Sequence, residues 1–402
     1  MKQIATNSIL QSCLIYVRRS EIKKLLFISV LLLIALPIYA GEKAEYAKVL
    51  SDYILFEKLV RKETENVRSL VQNVWGDELL TSNRRWVEYF DNSQGLNIRG
   101  SYQFYSGELK LEVILDDAVA DPLNPIPDEI TAAALRGYMR RLLLLDFKQV
   151  YEDSPHGTVE RAMQDRGIDM ITADLQSNIL YHTITGTDST FTEMEDFVDN
   201  VFRSASYSLK ESENGKIVLN MVAHFKPQGA EHERTMYEEI IAGRAANAKG
   251  VGDIVRAIAH VESGFNPTAR SGASAYGLMQ VVPSSAGLEI SKVLYGKPVV
   301  LSPSYLFDAD RNVEAGIIYL SILYNKYFSE INDPVSRIYC VIAAYNGGAS
   351  TVARAFVGSR NVAKAIEKIN KMTSEEVCNR LITKLPYKET RQYLERVLAA
   401  MN

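Results

Sequence analysis

From Gly41 onward Val49, Tyr53, Phe56, Val60, Val67, Leu70, Val71 and Val74 recur largely at three- and four-residue intervals, which predicts a long helix with one apolar face. The period then changes to two. Leu109, Leu111, Val113 and Leu115 alternate with Lys110, Glu112 and Ile114 behind a Ser106-Gly107 turn; with a strand around Ile98 to Tyr105 they predict a hairpin. Pro122, Pro125 and Pro127 mark a loop, a helix is expected from about Ile130 to Leu145, and alternation returns at Ile217, Leu219, Met221, Ala223 and Phe225. Residues 41–226 therefore read as an α+β domain with strands and helices in segregated runs. Lys226-Pro227-Gln228-Gly229 interrupts both periods. Beyond it Val313, Ile317, Leu320, Tyr324 and Tyr327 form one helical stripe and Val335, Ile338, Ile342 and Tyr345 another, so residues 227–402 are expected to be all-α.

The start of the chain follows neither pattern. Arg18, Arg19, Lys23 and Lys24 precede a largely apolar run from Leu25 to Leu36, then Pro37 and the small residues Ala40 and Gly41. That run is shorter than the roughly 20 residues a membrane-crossing helix needs. It reads as a secretory signal in residues 1–40, cleaved after Ala40, with an uncleaved anchor as the competing reading. No small-residue box ending in Cys closes it, so a lipid-anchored N-terminus has no support. Export places the protein in the periplasm or cell envelope, with membrane association left open.

A length of 402 residues suits two domains, and 47% apolar with 23% charged residues is a globular composition. The leader holds five Lys/Arg and one Glu against a whole-chain net of −4, so the mature chain carries −8. That acidity argues against nucleic acid as a partner. Cys340 and Cys378 are left after the leader, either paired in an oxidising compartment or separately buried. His156, His182, His224, His232 and His260 show no metal-ligand spacing, and neither a metal nor another cofactor is expected.

Chemistry concentrates in Ala257-Ile258-Ala259-His260-Val261-Glu262-Ser263-Gly264. If Asp253 caps a short helix here, Glu262 falls about 20° from Val255 and about 40° from Ile258 around its axis. The carboxyl then points along the apolar face at the last turn. Apolar surroundings disfavour its charged form, which suits a proton donor at neutral pH. A compact loop follows with Ser271-Gly272 and Gly277-Leu278-Met279-Gln280, and some eighty residues on a buried helix ends at Ala344-Tyr345-Asn346-Gly347-Gly348.

Glu262-Ser263, Ser271, Gly277 to Gln280 and Ala344-Tyr345-Asn346, in that order and spacing, resemble the lytic transglycosylases with a goose-type-lysozyme-like fold. Phe307-Asp308, Asn312 to Gly316 and Pro386 to Tyr393 are similar to later parts of that domain, so the resemblance spans about Tyr237 to Leu398. Val74-Trp75-Gly76, the Tyr89 region and the Ile98 to Ile114 hairpin resemble the N-terminal domain of the transglycosylase C subgroup.

The resemblance implies peptidoglycan glycan strands as substrate. One glutamic acid, Glu262 here, protonates the glycosidic oxygen between N-acetylmuramic acid and N-acetylglucosamine. It then takes a proton from the muramic C6 hydroxyl, which closes on C1 as a 1,6-anhydro end. The attacking group is tethered to the substrate, so no second carboxylate need activate water. Ser271 and Gln280 are implied to bind sugar hydroxyl or acetamido groups, Tyr345 to lie within reach of Glu262, Asn346 to brace the site and Tyr393 to line the groove, while Met279 is expected to pack. The alternatives are a muramidase and a non-catalytic peptidoglycan-binding protein. The first needs a second carboxylate about 5 to 9.5 Å away, for which Asp308, Asp310 and Glu314 are candidates, though their setting suggests helix capping.

Overall fold

The computed structural model describes residues 40–76, 85–90, 97–103, 106–115, 127, 129–143, 147–175, 191–212, 214–225, 237, 239–246, 251–272 and 274–401. The leader, the loop at Pro122 and Pro125, and the Lys226 to Gly229 boundary lie outside these residues. The first periodic run forms one long helix, α1 (Ala40–Trp75). Its buried side includes Leu50, Tyr53, Phe56, Val60, Val71 and Trp75. Strands β1 (Arg85–Phe90), β2 (Ile98–Gln103) and β3 (Glu108–Leu115) follow, then helices α2 (Glu129–Leu143), α3 (Phe147–Asp153) and α4 (Pro155–Asp165) and the short β4 (Met170–Ile171). Helix α5 (Phe191–Ser204) leads into β5 (Ser206–Glu211) and β6 (Ile217–His224).

The hairpin expected around the Ser106-Gly107 turn is present, and it is the centre of a larger antiparallel sheet with strand order β1-β2-β3-β6-β5. Register puts Leu109 opposite Ala223, Leu111 opposite Met221 and Val113 opposite Leu219. This row joins one core with Leu135, Met139 and Leu142 of α2 and Met194, Val198 and Val201 of α5. The other face is not open to water as alternation predicts. Arg99 and Glu112, both 1% exposed, pair across β2 and β3 at 2.6 and 3.0 Å, and the Arg99 guanidinium stacks on Trp75 at 4.2 Å. The end of α1 therefore covers a polar row, and a buried ion pair holds only when each partner satisfies the other.

The C-terminal half is helical: α6 (Val251–Ser263), α7 (Ala286–Tyr295), α8 (Pro303–Phe307), α9 (Ala309–Ile322), α10 (Pro334–Gly347), α11 (Ala349–Val357), α12 (Val362–Ile369), α13 (Ser374–Lys384) and α14 (Lys388–Ala400). A two-residue strand, β7 (Val300–Leu301), is the exception. It pairs in parallel with β4, Met170 opposite Val300 and Ile171 opposite Leu301, and so ties the halves together. The stripe expected through Tyr327 changes at Ile322 into a wider π turn, Leu323–Tyr327. Helix α6 is already running at Val251, so Asp253 lies in its first turn and bonds Arg256 at 3.1 Å. Cys340 and Cys378 are both free thiols.

Candidate active site

Helix α6 delivers Glu262 at its last turn. Val255, Ala257, Ile258 and Ala259 are buried along the helix, and Glu262 is half-buried among them. The chain leaves α6 through two left-handed residues, Gly264 (φ 60°) and Phe265 (φ 62°). Ser274 (φ 55°) and Gln280 (φ 49°) repeat that conformation a few residues on, and these three are the non-glycine cases among the described residues. Each costs on the order of 1 kcal/mol or more, and such a cluster persists only where its surroundings enforce it.

The enforcement is visible. Tyr276 forms backbone bridges to both Arg270 and Val281, folding 270–281 on itself. Gln280 Nε2 donates to the carbonyls of Ala269 (3.1 Å) and Gly277 (2.9 Å). Asn312, fully buried on α9, donates to the Tyr276 and Leu306 carbonyls at 2.9 and 2.8 Å and accepts from the Met279 amide at 2.7 Å. Gly277 (φ 76°) is required where it stands, since a Cβ would lie 2.1 Å from the Leu306 oxygen and 2.3 Å from Asn312 Nδ2. Met279 packs with no exposure. Ser271 is half-buried, and its Oγ accepts from the Ala275 amide at 3.1 Å.

Two tyrosines close on Glu262 from other helices. Helix α10 brings Tyr345, whose ring keeps some exposure while its hydroxyl end is enclosed and donates to the Met279 carbonyl at 2.8 Å. Burial raises the Tyr345 pKa well above that of a free phenol, and the Glu262 charge adds to the rise. Helix α14 packs on α6 and brings Tyr393, 1% exposed. Its hydroxyl is buried with the Glu262 carboxyl as its neighbouring acceptor, short of full hydrogen-bond geometry. Burial first, and the nearby Glu262 carboxylate second, hold its pKa well above the usual range. Both phenols thus keep their protons beside Glu262, and Tyr393 reaches toward that carboxyl rather than outward. Asn346, next to Tyr345, is exposed at the end of α10.

The structure therefore gathers Glu262, Tyr345 and Tyr393 and sets the loop of Ser271 and Gln280 against them through Met279. The sequence signal for Asn312 was only its place in a motif; its work is to hold the loop. Of the alternative carboxylates, Asp308 caps α9 by accepting from the Arg311 amide at 2.9 Å. Arg244 holds Asp310 and Glu314, at 2.7 Å from Nε to Asp310 Oδ1 and 2.7 Å from Nη1 to Glu314 Oε1. The Arg244 bonds pull the Asp310 pKa below its ordinary value. Among the described residues no group of three or more His, Cys, Asp or Glu is placed to hold a metal.

Residues 240–368 match the sequence pattern of the Transglycosylase SLT domain. The chain is 30% identical over 388 residues to the membrane-bound lytic murein transglycosylase C of Photorhabdus laumondii, covering 94% of this chain and 98% of that one. The protein of the same name from Serratia proteamaculans is 30% identical over 352 residues, 85% of this chain and 87% of its own. That from Pectobacterium atrosepticum reaches 46% identity over 149 residues, 37% and 40% of the two chains. With alignment running end to end through both the sheet-bearing and the helical halves, the chain belongs to the membrane-bound lytic murein transglycosylase C family.

Proposed function

We propose that the chain cleaves peptidoglycan glycan strands between N-acetylmuramic acid and N-acetylglucosamine, leaving 1,6-anhydromuramic ends, with Glu262 as its single acid and base. Membership of the family makes it an enzyme of this class. The observation that carries the residue assignment is a half-buried carboxyl at a helix end with two protonated phenols beside it and a strained, multiply braced loop next to it. A neutral Glu262 donates its proton to the leaving glycosidic oxygen. As a carboxylate it then draws the proton from the C6 hydroxyl while Tyr393 O–H faces its negative charge. Ser271 and the outer face of the loop meet the sugar, Tyr345 fixes the loop against α10, and Gln280 keeps the loop in shape. Asp308, Asp310 and Glu314, the candidates for a second carboxylate, serve a helix cap and Arg244, which supports the single-carboxylate route.

Residues 41–226 and 227–402 are proposed as the two domains, and residues 1–40 as the export segment that takes them to the envelope. The relatives are named membrane-bound, and membrane association is proposed for this chain on that ground. No described helix is long and apolar enough to cross a membrane. Digestion of sacculi followed by mass analysis tests the reaction: anhydro ends are one water lighter than hydrolytic ends. Glu262→Gln is expected to lower turnover about 10²- to 10⁴-fold while strands still bind. Reducing ends alone, or undiminished turnover in Glu262→Gln, would refute the assignment.

A further inference from the structure

Glu57 belongs to α1, far from the catalytic helices in sequence, yet its carboxylate sits against the loop that follows Glu262. Ser274 Oγ donates to it at 2.6 Å and the Tyr276 hydroxyl at 3.0 Å, across 217 and 219 residues of chain. Tyr53, one turn back on α1, donates at 2.8 Å, and the Arg270 guanidinium lies at 4.0 Å. Three hydroxyls and one cation thus converge on a group with about four acceptor positions. The side chains of Glu57 and Arg270 are 17% and 12% exposed, so water competes little for these bonds.

The anchored residues are the ones whose conformation needs holding. Ser274 is left-handed (φ 55°), and its amide donates to the Ser271 carbonyl at 3.1 Å. The next amide, Ala275, donates to Ser271 Oγ. Tyr276 makes both backbone bridges of the loop, and its carbonyl is held by Asn312. Behind it Phe307 packs edge-on at 5.6 Å and His156 of α4 at 6.0 Å, so the ring has no room to retreat. Asn312 grips the loop from the catalytic side, and Glu57 grips it from the N-terminal side.

We infer that Glu57 is a positioning residue that fixes the glycan-facing loop around Ser271 from the N-terminal helix, so that the N-terminal half completes the active site it borders. This rests on the glycan-cleaving reading above, and it gives the N-terminal half a task in substrate binding. Replacing Glu57 by Gln keeps its shape but exchanges one acceptor oxygen for an amide donor. The Ser and Tyr hydroxyls can turn to accept, whereas Arg270 cannot.

The test compares full-length wild type, Glu57→Gln, Ser274→Ala and the double variant on soluble, peptide-free glycan strands. Each single change is expected to raise KM about tenfold with kcat within about threefold, and the double variant to be no worse than the worse single, the non-additivity of groups acting through one contact. KM within about twofold of wild type, a loss confined to kcat, or independent additive losses would overturn the inference. If Glu57→Gln does not fold, Ser274→Ala decides by the same KM criterion, since it leaves the carboxylate with Tyr53 and Tyr276. Strand affinity of the same substitutions in a Glu262→Gln background reads the loop without turnover, so a wild type that releases no anhydro ends would defeat the cleavage reading and not this one.

Discussion

A phenol enclosed beside a carboxyl group keeps its proton and aims it at the negative charge whenever that charge is present. Tyr393 is in this position, buried on α14 with Glu262 the leading charge acting on it. Its hydroxyl favours the ionised form of Glu262, the form that in the proposed reaction follows proton donation to the leaving group. Tyr393→Phe removes that donor and little volume. We expect kcat/KM to fall about tenfold, as for loss of one hydrogen bond to a charged group that tightens once Glu262 ionises. Because the ionised form loses support, the descending limb of the pH–rate profile moves to higher pH. An unmoved limb would make Tyr393 a packing residue only. The half-buried placing of Glu262 at a helix end was legible because its wheel position and its neighbours are local in sequence. The use of the Gln280 amide was not, since it depends on a left-handed φ that aims Nε2 at the Ala269 and Gly277 carbonyls.

At the scale of elements, periodicity found the longer runs of strongly apolar positions and missed short or weakly buried ones. Helix α1, β2, β3, α2 and β6 were readable, whereas β5, with half-exposed positions, and the short α3 and α4 were not. Glu112 illustrates the limit: it occupies a polar position of a clean alternation, and α1 nevertheless buries it under Trp75 with Arg99. Burial alone would raise its pKa; the hydrogen bond and charge of Arg99, followed by those of Lys110, outweigh this and bring it to about 2. A carboxylate depressed in the folded state contributes stability above its unfolded pKa, near 4.3, and loses it as pH falls toward 2. Glu112→Gln is therefore expected to cost about 3 kcal/mol at pH 7, because Arg99 stays buried without its charge partner. Urea denaturation at pH 7 and at pH 3 checks both statements, and the deficit should narrow at the lower pH.

At the scale of the whole molecule, the halves are joined by buried polar contacts as well as by apolar packing. Glu160 of α4 accepts from Tyr151 at 2.5 Å and from Ser304 at 2.8 Å, and Phe56, Val60, Val159 and Met163 share a cluster with Val300. His156 sits within this seam, between Phe56 and Tyr276, with neither ring nitrogen bonded. Burial first, and the charge of Arg270 second, hold its pKa well below that of a free imidazole. The unfolded chain takes up a proton near pH 6.5 that the folded chain refuses, so stability falls as pH drops below that value, by up to about 1.4 kcal/mol per pH unit. The groups facing His156 across the seam sharpen the effect: the Arg270 cation opposes protonation, and the Glu57 carboxylate is already engaged by Tyr53, Ser274 and Tyr276. Glu112 does not begin to contribute its own loss until lower pH, while burial raises the Glu160 carboxyl in the same seam and works in the opposite sense, so the histidine is read from the difference between wild type and variant between about pH 6.5 and 4.5. His156→Phe keeps an aromatic ring against Phe56 and Tyr276 and removes the titrating group. Urea midpoints measured across this window should decline for wild type and decline less for His156→Phe; parallel slopes would mean that the seam opens and hydrates His156 before the protein unfolds.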